Sequence, residues 1–244
     1  MTRDTTFFDA TVYSNENLNP KADNMATYTL RLFDDRLGAR ASAALPACNR
    51  VLYVADGMAN VRTGGVSATL SANSALFAPG DSEVTAGPDG ARILRYELVA
   101  AAAGTGGEIA GDNIGGAFLL AADMELAPGD GYLMRCDRVD IPPGGIAYTH
   151  THQGGGIRCL LKGGFNVETQ GHKTSIAAGE PWYEAGPDPV LAWAPDDRPG
   201  HFSRVMILPR ALRGKSSISY VRPEDAEKPK LQRYTVFVDE FISI

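Results

Sequence analysis

Residues 144–163 read GGIAYTHTHQGGGIRCLLKG, and this stretch predicts a β-strand that carries a metal site. Alternate side chains of an extended strand share a face, so Tyr148, His150 and His152 are expected to point the same way. Two imidazoles spaced in this way can bind one divalent ion at the usual bond length of about 2.0–2.2 Å. The alternative is an ordinary pair of strand histidines, packed in a core or solvated, with no ion between them.

Short apolar runs separated by tight turns extend on both sides of this stretch. The chain has 27 glycines and 15 prolines scattered between runs rich in valine, isoleucine, leucine, tyrosine and phenylalanine, and helical periodicity is scarce. This pattern is typical of an all-β protein, either a barrel or a sandwich. The clearest strand-like runs are residues 27–33, 51–54, 93–99, 157–161, 205–208 and 234–238.

The two halves of the chain share positions at a constant spacing, which predicts two copies of one small domain. Each pair is 106 residues apart: Gly38 with Gly144, Gly57 with Gly163, Phe77 with Tyr183, Gly80 with Gly186 and Val84 with Val190. Beyond these pairs the best match is Arg92 with Arg204, a shift of six residues. That shift implies an insertion within residues 194–200 of the second copy.

A segment rich in alanine and glycine, residues 100–116, falls near the middle of the chain. Such composition is typical of a connection between domains. We therefore expect a first domain over residues 1–108 and a second over residues 109–244, which contains both histidines. The three cysteines are widely spaced without a CxxC pair, so they are expected to be buried, reduced thiols.

The histidine stretch resembles the first sequence motif of the cupin superfamily. That motif runs Gly, five residues, His-x-His, three or four residues, Glu, six residues and Gly, and it is satisfied by Gly144, His150, His152 and Gly163. The motif's Glu position is Gly156 here. The resemblance implies two tandem cupin domains of the jelly-roll β-barrel type, a degenerate first one and a second one of the metal-binding type.

The family's second motif begins with a glycine, often followed by an acid, and ends with a histidine eleven residues later. Gly179 and Glu180 provide the start, but Val190 stands at the eleventh position. Glu184 is expected to face inward on this strand, as Trp182 is. A carboxylate inside a barrel is costly unless it is paired or binds a metal.

Glu184 would complete a two-histidine, one-carboxylate set with His150 and His152, which leaves coordination positions open. The alternative is that Glu184 bonds Arg158 or Arg204 with no metal nearby. We expect one divalent ion per chain, and Fe, Mn, Zn, Ni or Co suits these ligands. The residues 106 positions earlier are Ala44, Pro46 and Ala78, so the first copy is expected to be metal-free.

Tyr148 and Arg158 are the candidate catalytic residues. A phenol and a guanidinium near a metal could bind a carboxylate or enolate oxygen of a substrate. The alternative for Tyr148 is packing in the barrel, and for Arg158 it is a surface salt bridge.

Charge and hydropathy patterning exclude several partners. The 23 basic and 29 acidic residues give a net charge of −6 without a basic stripe, so no nucleic-acid partner is expected. Residues 1–10 have no apolar run typical of a secretory signal, and no run reaches the length of a membrane span, which favours a cytoplasmic location. The polar residues 213–232 lead into an alternating strand that could pair with the other domain or with a second subunit. A homodimer is the expected assembly.

The cupin resemblance implies a metal-dependent enzyme that acts on a small polar organic molecule, for example a mononuclear Fe(II)-type dioxygenase. Isomerase, lyase and hydrolase chemistries are found on the same fold, which does not fix function. A non-catalytic module that senses or stores a small ligand is the rival hypothesis, favoured by Gly156 and Val190 at the usual ligand positions. A purely structural barrel is the third, and the intact His-x-His pattern counts against it.

Overall fold

The computed structural model describes residues 25–104, 106–129 and 131–244, and most of them lie in antiparallel β-strands. They form two compact units, Ala26–Leu126 and a second that begins at Ala127 and ends at Ile244. All six strand-like runs predicted from the sequence lie in strands. Among the described residues, no helix is long and apolar enough to cross a membrane. The prediction for residues 1–10 lies outside the described residues.

The first unit is one twisted sheet closed around an apolar core. In the sheet the order is β4-β3-β6-β1-β8-β7, and two shorter strands, β2 and β5, pair with β6 and β3. Leu52, Val54 and Ile93 lie in the core between these strands. The strands are β1 (Ala26–Leu37), β2 (Ser42–Leu45), β3 (Asn49–Thr63), β4 (Val66–Ser71), β5 (Ser74–Phe77), β6 (Ser82–Ala100), β7 (Ala110–Gly111) and β8 (Ile114–Leu126).

The second unit repeats this plan and adds a C-terminal extension. The strands are β9 (Tyr132–Ile141), β10 (Ile146–His152), β11 (Gly156–Thr169), β12 (His172–Ala177), β13 (Pro181–Glu184), β14 (Val190–Trp193), β15 (Gly200–Pro209), β16 (Ile218–Tyr220) and β17 (Arg233–Ile242), with one short helix, α1 (Pro223–Ala226). Their order is β16-β10-β14-β11-β15-β9-β17, and β12 and β13 both pair with β11. Phe165, Trp182 and Phe202 pack with ring centroids 5.1–5.6 Å apart in the core.

The spacing of 106 residues is visible in the strand pairing. In β3 the residue opposite Phe77 is Val51, and in β11 the residue opposite Tyr183 is Ile157. Each long strand also contains a glycine of positive φ at the same place, Gly57 with φ +74° in β3 and its counterpart with φ +88° in β11. The repeated glycines therefore mark equivalent bends in the two units.

The match of Arg92 with Arg204 is wrong. Leu52 lies opposite Arg95 in the first unit, and Arg158 lies opposite Arg204 in the second. Because Leu52 and Arg158 are equivalent at the spacing of 106 residues, Arg204 corresponds to Arg95. The two arginines share a bonding pattern, since each binds a carboxylate on the neighbouring strand, Asp35 or Asp137.

The structure divides the chain between Leu126 and Ala127, whereas the sequence places the division after residue 108. The physical reason is the pairing of β8 with β1 along its whole length, which makes β8 part of the first unit. The alanine- and glycine-rich residues therefore lead into β7 and β8 and do not connect the two units. None of the three cysteines forms a disulfide; Cys136 and Cys159 are buried and Cys48 is half-buried.

Gly163→Ala is expected to lower the free energy of unfolding by about 3 kcal/mol or more. A Cβ at this position would overlap the Pro199 carbonyl oxygen, in addition to the strain of φ +88°. Gly171→Ala is the matched control, because its φ is +76° but its Cβ would meet open space. That variant should lose only about 1 kcal/mol. Urea unfolding compares the two, and equal losses would contradict a role for the close approach.

Candidate metal centre

The strand that carries the histidines is bulged, and the bulge decides which side chains face inward. On β10, Ala147 lies opposite Ala192 and His150 lies opposite Val190, so β10 has one residue more than β14 between these pairs. The inward alternation therefore restarts at His150. The Tyr148 ring does not share the face of the histidines and lies 4.6 Å from Lys228 Nζ.

His150 and His152 converge on one point. Their Nε2 atoms are 3.2 Å apart, and the two residues are only 5% and 4% exposed. His150 Nδ1 lies 2.7 Å from the Tyr148 carbonyl oxygen. Because a carbonyl can only accept, Nδ1 carries the proton and Nε2 keeps a free lone pair, which is the tautomer that a metal requires.

Glu184 approaches the histidines from strand β13, which pairs with β11. Its Oε2 is 3.3 Å from His152 Nε2 and 2.7 Å from Arg158 Nη2, and its Oε1 accepts a hydrogen bond of 2.8 Å from Trp182 Nε1. One ligand atom from each of His150, His152 and Glu184 lies within 4.8 Å of the others. Glu184 thus forms the Arg158 pair that the alternative interpretation expected, and it also lies beside the histidines, as a metal set requires.

The donor set fits a divalent ion. An ionised carboxylate offers about four lone-pair sites, so the hydrogen bond from Trp182 and the ion pair with Arg158 leave acceptor capacity on Glu184. Two imidazole nitrogens and one carboxylate suit Zn, Fe, Mn, Co or Ni, and three protein ligands leave room for further ones. His150, His152 and Glu184 are the residues that would hold such an ion.

Electrostatics keeps each ligand in the protonation state that metal binding needs. Burial lowers the pKa of His150, and burial also lowers the pKa of His152 to about 3, so both imidazoles are neutral. Burial alone would raise the pKa of Glu184, but the Arg158 charge and the His152 hydrogen bond keep that pKa well below its usual range. Burial lowers the pKa of Arg158 itself to about 10, which leaves it charged at neutral pH.

Gly156 and Val190 stand where the cupin motifs have a glutamate and a histidine, and the packing around each position disfavours those larger polar side chains. Gly156 pairs with Glu184 on one side and Met206 on the other. A Cβ on Gly156 would overlap the Val205 carbonyl oxygen. Val190 is 2% exposed and packs in the apolar core. Among the described residues, the group that could hold an ion therefore consists of His150, His152 and Glu184.

A neighbouring ion pair completes the polar lining. Arg204 donates two hydrogen bonds to Asp137, of 2.9 and 2.6 Å, and both residues are buried. Arg204 therefore pairs with Asp137. Of the two arginines considered as partners of Glu184, Arg158 is the one that contacts it. Arg158, predicted as a candidate catalytic residue, lies beside the metal set, whereas the Tyr148 phenol does not.

The C-terminal extension contributes residues that the sequence did not mark. Strand β16 pairs with β10 so that Tyr220 lies opposite His150 and Ile218 lies opposite His152. Ser217 Oγ is 3.5 Å from His152 Nδ1. No motif or periodicity singles out these positions, and only the strand pairing shows them. The tail strand β17 pairs with β9 of its own unit, which differs from the two pairings considered from the sequence.

Solved structures share the architecture, although no family model and no curated protein matches the sequence. Oxalate decarboxylase from Bacillus subtilis aligns with a TM-score of 0.56 at 11% identity, over 98% of this chain and 89% of that one. The fold is the cupin jelly-roll barrel. AerE from Microcystis aeruginosa aligns at a TM-score of 0.51 and 14% identity, over 83% of this chain and 99% of that one.

Salicylate 1,2-dioxygenase from Pseudaminobacter salicylatoxidans aligns at a TM-score of 0.50 and 11% identity, over 86% of this chain and 75% of that one. At these identities the likeness shows the cupin fold alone. The all-β class with tandem barrels, expected from the sequence, is confirmed.

Arg158→Met is expected to destabilise the metal-free protein by about 3 kcal/mol, because it leaves the buried Glu184 carboxylate without its ion-pair partner. Arg198→Met is the matched control in the same unit, since its pair with Asp197 is exposed and should contribute less than about 1 kcal/mol. Denaturant unfolding after chelation measures both losses. A similar small loss for the two variants would show that the Arg158 pair contributes no more than a surface pair.

Proposed function

We propose that this cupin holds one divalent metal ion on His150, His152 and Glu184 and acts as an enzyme on a small polar organic molecule. The observation that carries the proposal is the convergence of the His150 and His152 Nε2 atoms, 3.2 Å apart, beside the buried Glu184 carboxylate. The arrangement resembles a two-histidine, one-carboxylate set. A bound ion would supply Lewis acidity and, as Fe(II), dioxygen chemistry, which makes a mononuclear dioxygenase the finer form of this proposal.

The residues around the ion would position the substrate. Arg158 is a buried cation 2.7 Å from Glu184 Oε2, and it would favour an anionic oxygen of the substrate close to the ligand set. Tyr148 contributes its backbone carbonyl, which orients His150, and its phenol takes no part. The first unit has Ala44, Pro46 and Ala78 at the equivalent positions, so it would hold no ion.

The fold neighbours are consistent with an enzyme but do not choose the reaction. Two of them are named as an oxalate decarboxylase and a salicylate 1,2-dioxygenase. Isomerase, lyase or hydrolase chemistry at the same ion remains within the proposal. The homodimer predicted from the sequence is part of the proposal too, and light scattering of the purified protein measures it.

A non-catalytic binding module is the second candidate. The observation that favours it is the absence of side-chain ligands at Gly156 and Val190, which leaves the ion with three protein ligands. In that case the pocket would bind a small molecule without converting it.

Elemental analysis of the purified protein tests the metal. The wild type should contain close to one ion per chain, and His152→Ala and Glu184→Ala should lose it. His172→Ala and Glu180→Ala are the controls, because these residues are away from the ligand set and should retain the ion. A wild type that stays empty after loading with Fe(II), Mn(II) and Zn(II) would contradict the proposal.

Turnover distinguishes the enzyme from the binding module. Dioxygen uptake with aromatic or diketone substrates should be measurable for the Fe(II)-loaded wild type and absent in His150→Ala. Ligand binding that occurs without turnover of any substrate would favour the binding module.

A further inference from the structure

The first unit buries a cluster of five charged side chains inside its barrel. Arg31 is 7% exposed, and the other four members are 2% exposed or less. They lie on three neighbouring strands, on the same face as core residues such as Leu52. The cluster consists of Arg31 and Asp35 on β1, Arg50 on β3, and Arg95 and Glu97 on β6.

Glu97 is the centre of the cluster. Its two oxygens accept hydrogen bonds of 2.6 Å from Arg31 Nη2, 2.7 Å from Arg50 Nε and 2.8 Å from Arg95 Nη1. Arg95 also donates to Asp35, at 2.5 and 3.2 Å. A buried charge network of this density is costly to assemble for stability alone, which makes it a candidate binding site.

The charges in the cluster do not cancel. Three guanidinium groups face two carboxylates, so the cluster carries one excess positive charge when both acids are ionised. Burial alone would raise the pKa of Glu97, but Arg95 and Arg50 lower it to about 2, so this acid is ionised at neutral pH. Burial raises the pKa of the adjacent Cys48 thiol to about 11, so the thiol adds no negative charge to this count.

Two of the arginines have hydrogen-bond donors without an acceptor. Arg50 Nη1 and Arg31 Nε are both buried and have no hydrogen-bond partner in the described part of the chain. An unpaired donor on a buried cation is costly, and an anion would satisfy both the donor and the excess charge.

Arg50 stands at the position that is Gly156, next to the candidate metal centre, in the second unit. It is the residue equivalent to Gly156, because Ala78 bonds its carbonyl in the way that Glu184 pairs with Gly156. Arg50 Nη2 donates 2.6 Å to the carbonyl oxygen of Pro46, the residue equivalent to His152. The first barrel therefore has a guanidinium cation beside the positions that correspond to the histidine and glutamate set of the second barrel.

A glycine-rich loop covers one side of the cluster. The carbonyls of Gly104 and Gly106 accept from Arg31 Nη1, and the Gly107 carbonyl accepts from Arg95 Nη2. All three glycines are exposed, so the loop lies between the arginines and solvent on this side.

We propose that the arginine cluster of the first unit is a binding site for a small monoanion of the carboxylate class. A carboxylate matches the single excess charge, and its two coplanar oxygens match the planar donors of a guanidinium. The site is separate from the metal centre and does not depend on the function proposed for it.

Equilibrium dialysis of chelator-treated full-length protein with radiolabelled acetate tests the proposal. The wild type should bind about one acetate per chain, and unlabelled acetamide, the neutral analogue, should not displace it. Arg50→Met should weaken acetate binding by about tenfold or more, because it removes the cation and its free donors. Arg50→Lys should give an intermediate loss, because it keeps the charge without the planar fork.

His152→Ala is the matched control, because it alters the metal centre and leaves the first unit intact. Its acetate binding should equal that of the wild type, and loss of binding in this variant alone would overturn the assignment to the first unit. Arg31→Met provides the same test if Arg50→Met fails to fold, as judged by near-ultraviolet circular dichroism. A wild type that binds no acetate, or binds sulfate in preference, would overturn the proposed carboxylate site.

Discussion

Strand β11 joins the two halves of the second unit's sheet, and its bend at Gly163 is the constraint on which the metal centre depends. Before the bend, residues 156–163 pair with β13 and β15, and after it, residues 164–169 pair with β12 and β14. β13 carries Glu184, and β14 pairs with the histidine strand β10. One bent strand thus brings the carboxylate of β13 and the two imidazoles of β10 into a single buried group.

Burial then sets the charge state of that group through opposing effects. Burial keeps the imidazoles neutral, and it would neutralise Glu184 as well if Arg158 were not beside it. The first unit has the same barrel but different buried charges. In it Arg95 and Asp35 repeat the bonding of Arg204 and Asp137. The two barrels therefore share a backbone plan and one ion pair, and they differ in whether a histidine pair or an arginine is placed at the centre.

Much of the architecture could be predicted from the sequence, because it depends on local hydrophobic patterns and on an internal repeat. Apolar runs between glycines predicted the strands, and the shared spacing predicted two copies of one domain. His150, His152 and Glu184 could be brought together because strand alternation and the cupin motifs assign each of them a face. These inferences need only local periodicity and a repeat.

Other features could not be predicted, since they depend on details that alternation does not encode. The bulge between Ala147 and His150 turns Tyr148 away, and nothing in that run distinguishes a bulged strand from a regular one. The pairing of β8 with β1 moved the boundary between the units, because a glycine-rich segment can precede a strand as readily as a linker. The arginine cluster could not be predicted, because its members are distant in sequence and no motif connects them.

The position of β16 has a consequence for how the metal centre is made. The histidine strand is synthesised long before β16, which becomes its hydrogen-bonded neighbour at Tyr220 and Ile218. A nascent chain that has left the ribosome only as far as β15 has both imidazoles but not the strand that flanks them. The edge of the histidine strand therefore stays unpaired until β16 has been synthesised, and the candidate metal centre is complete only when the C-terminal extension has folded onto it.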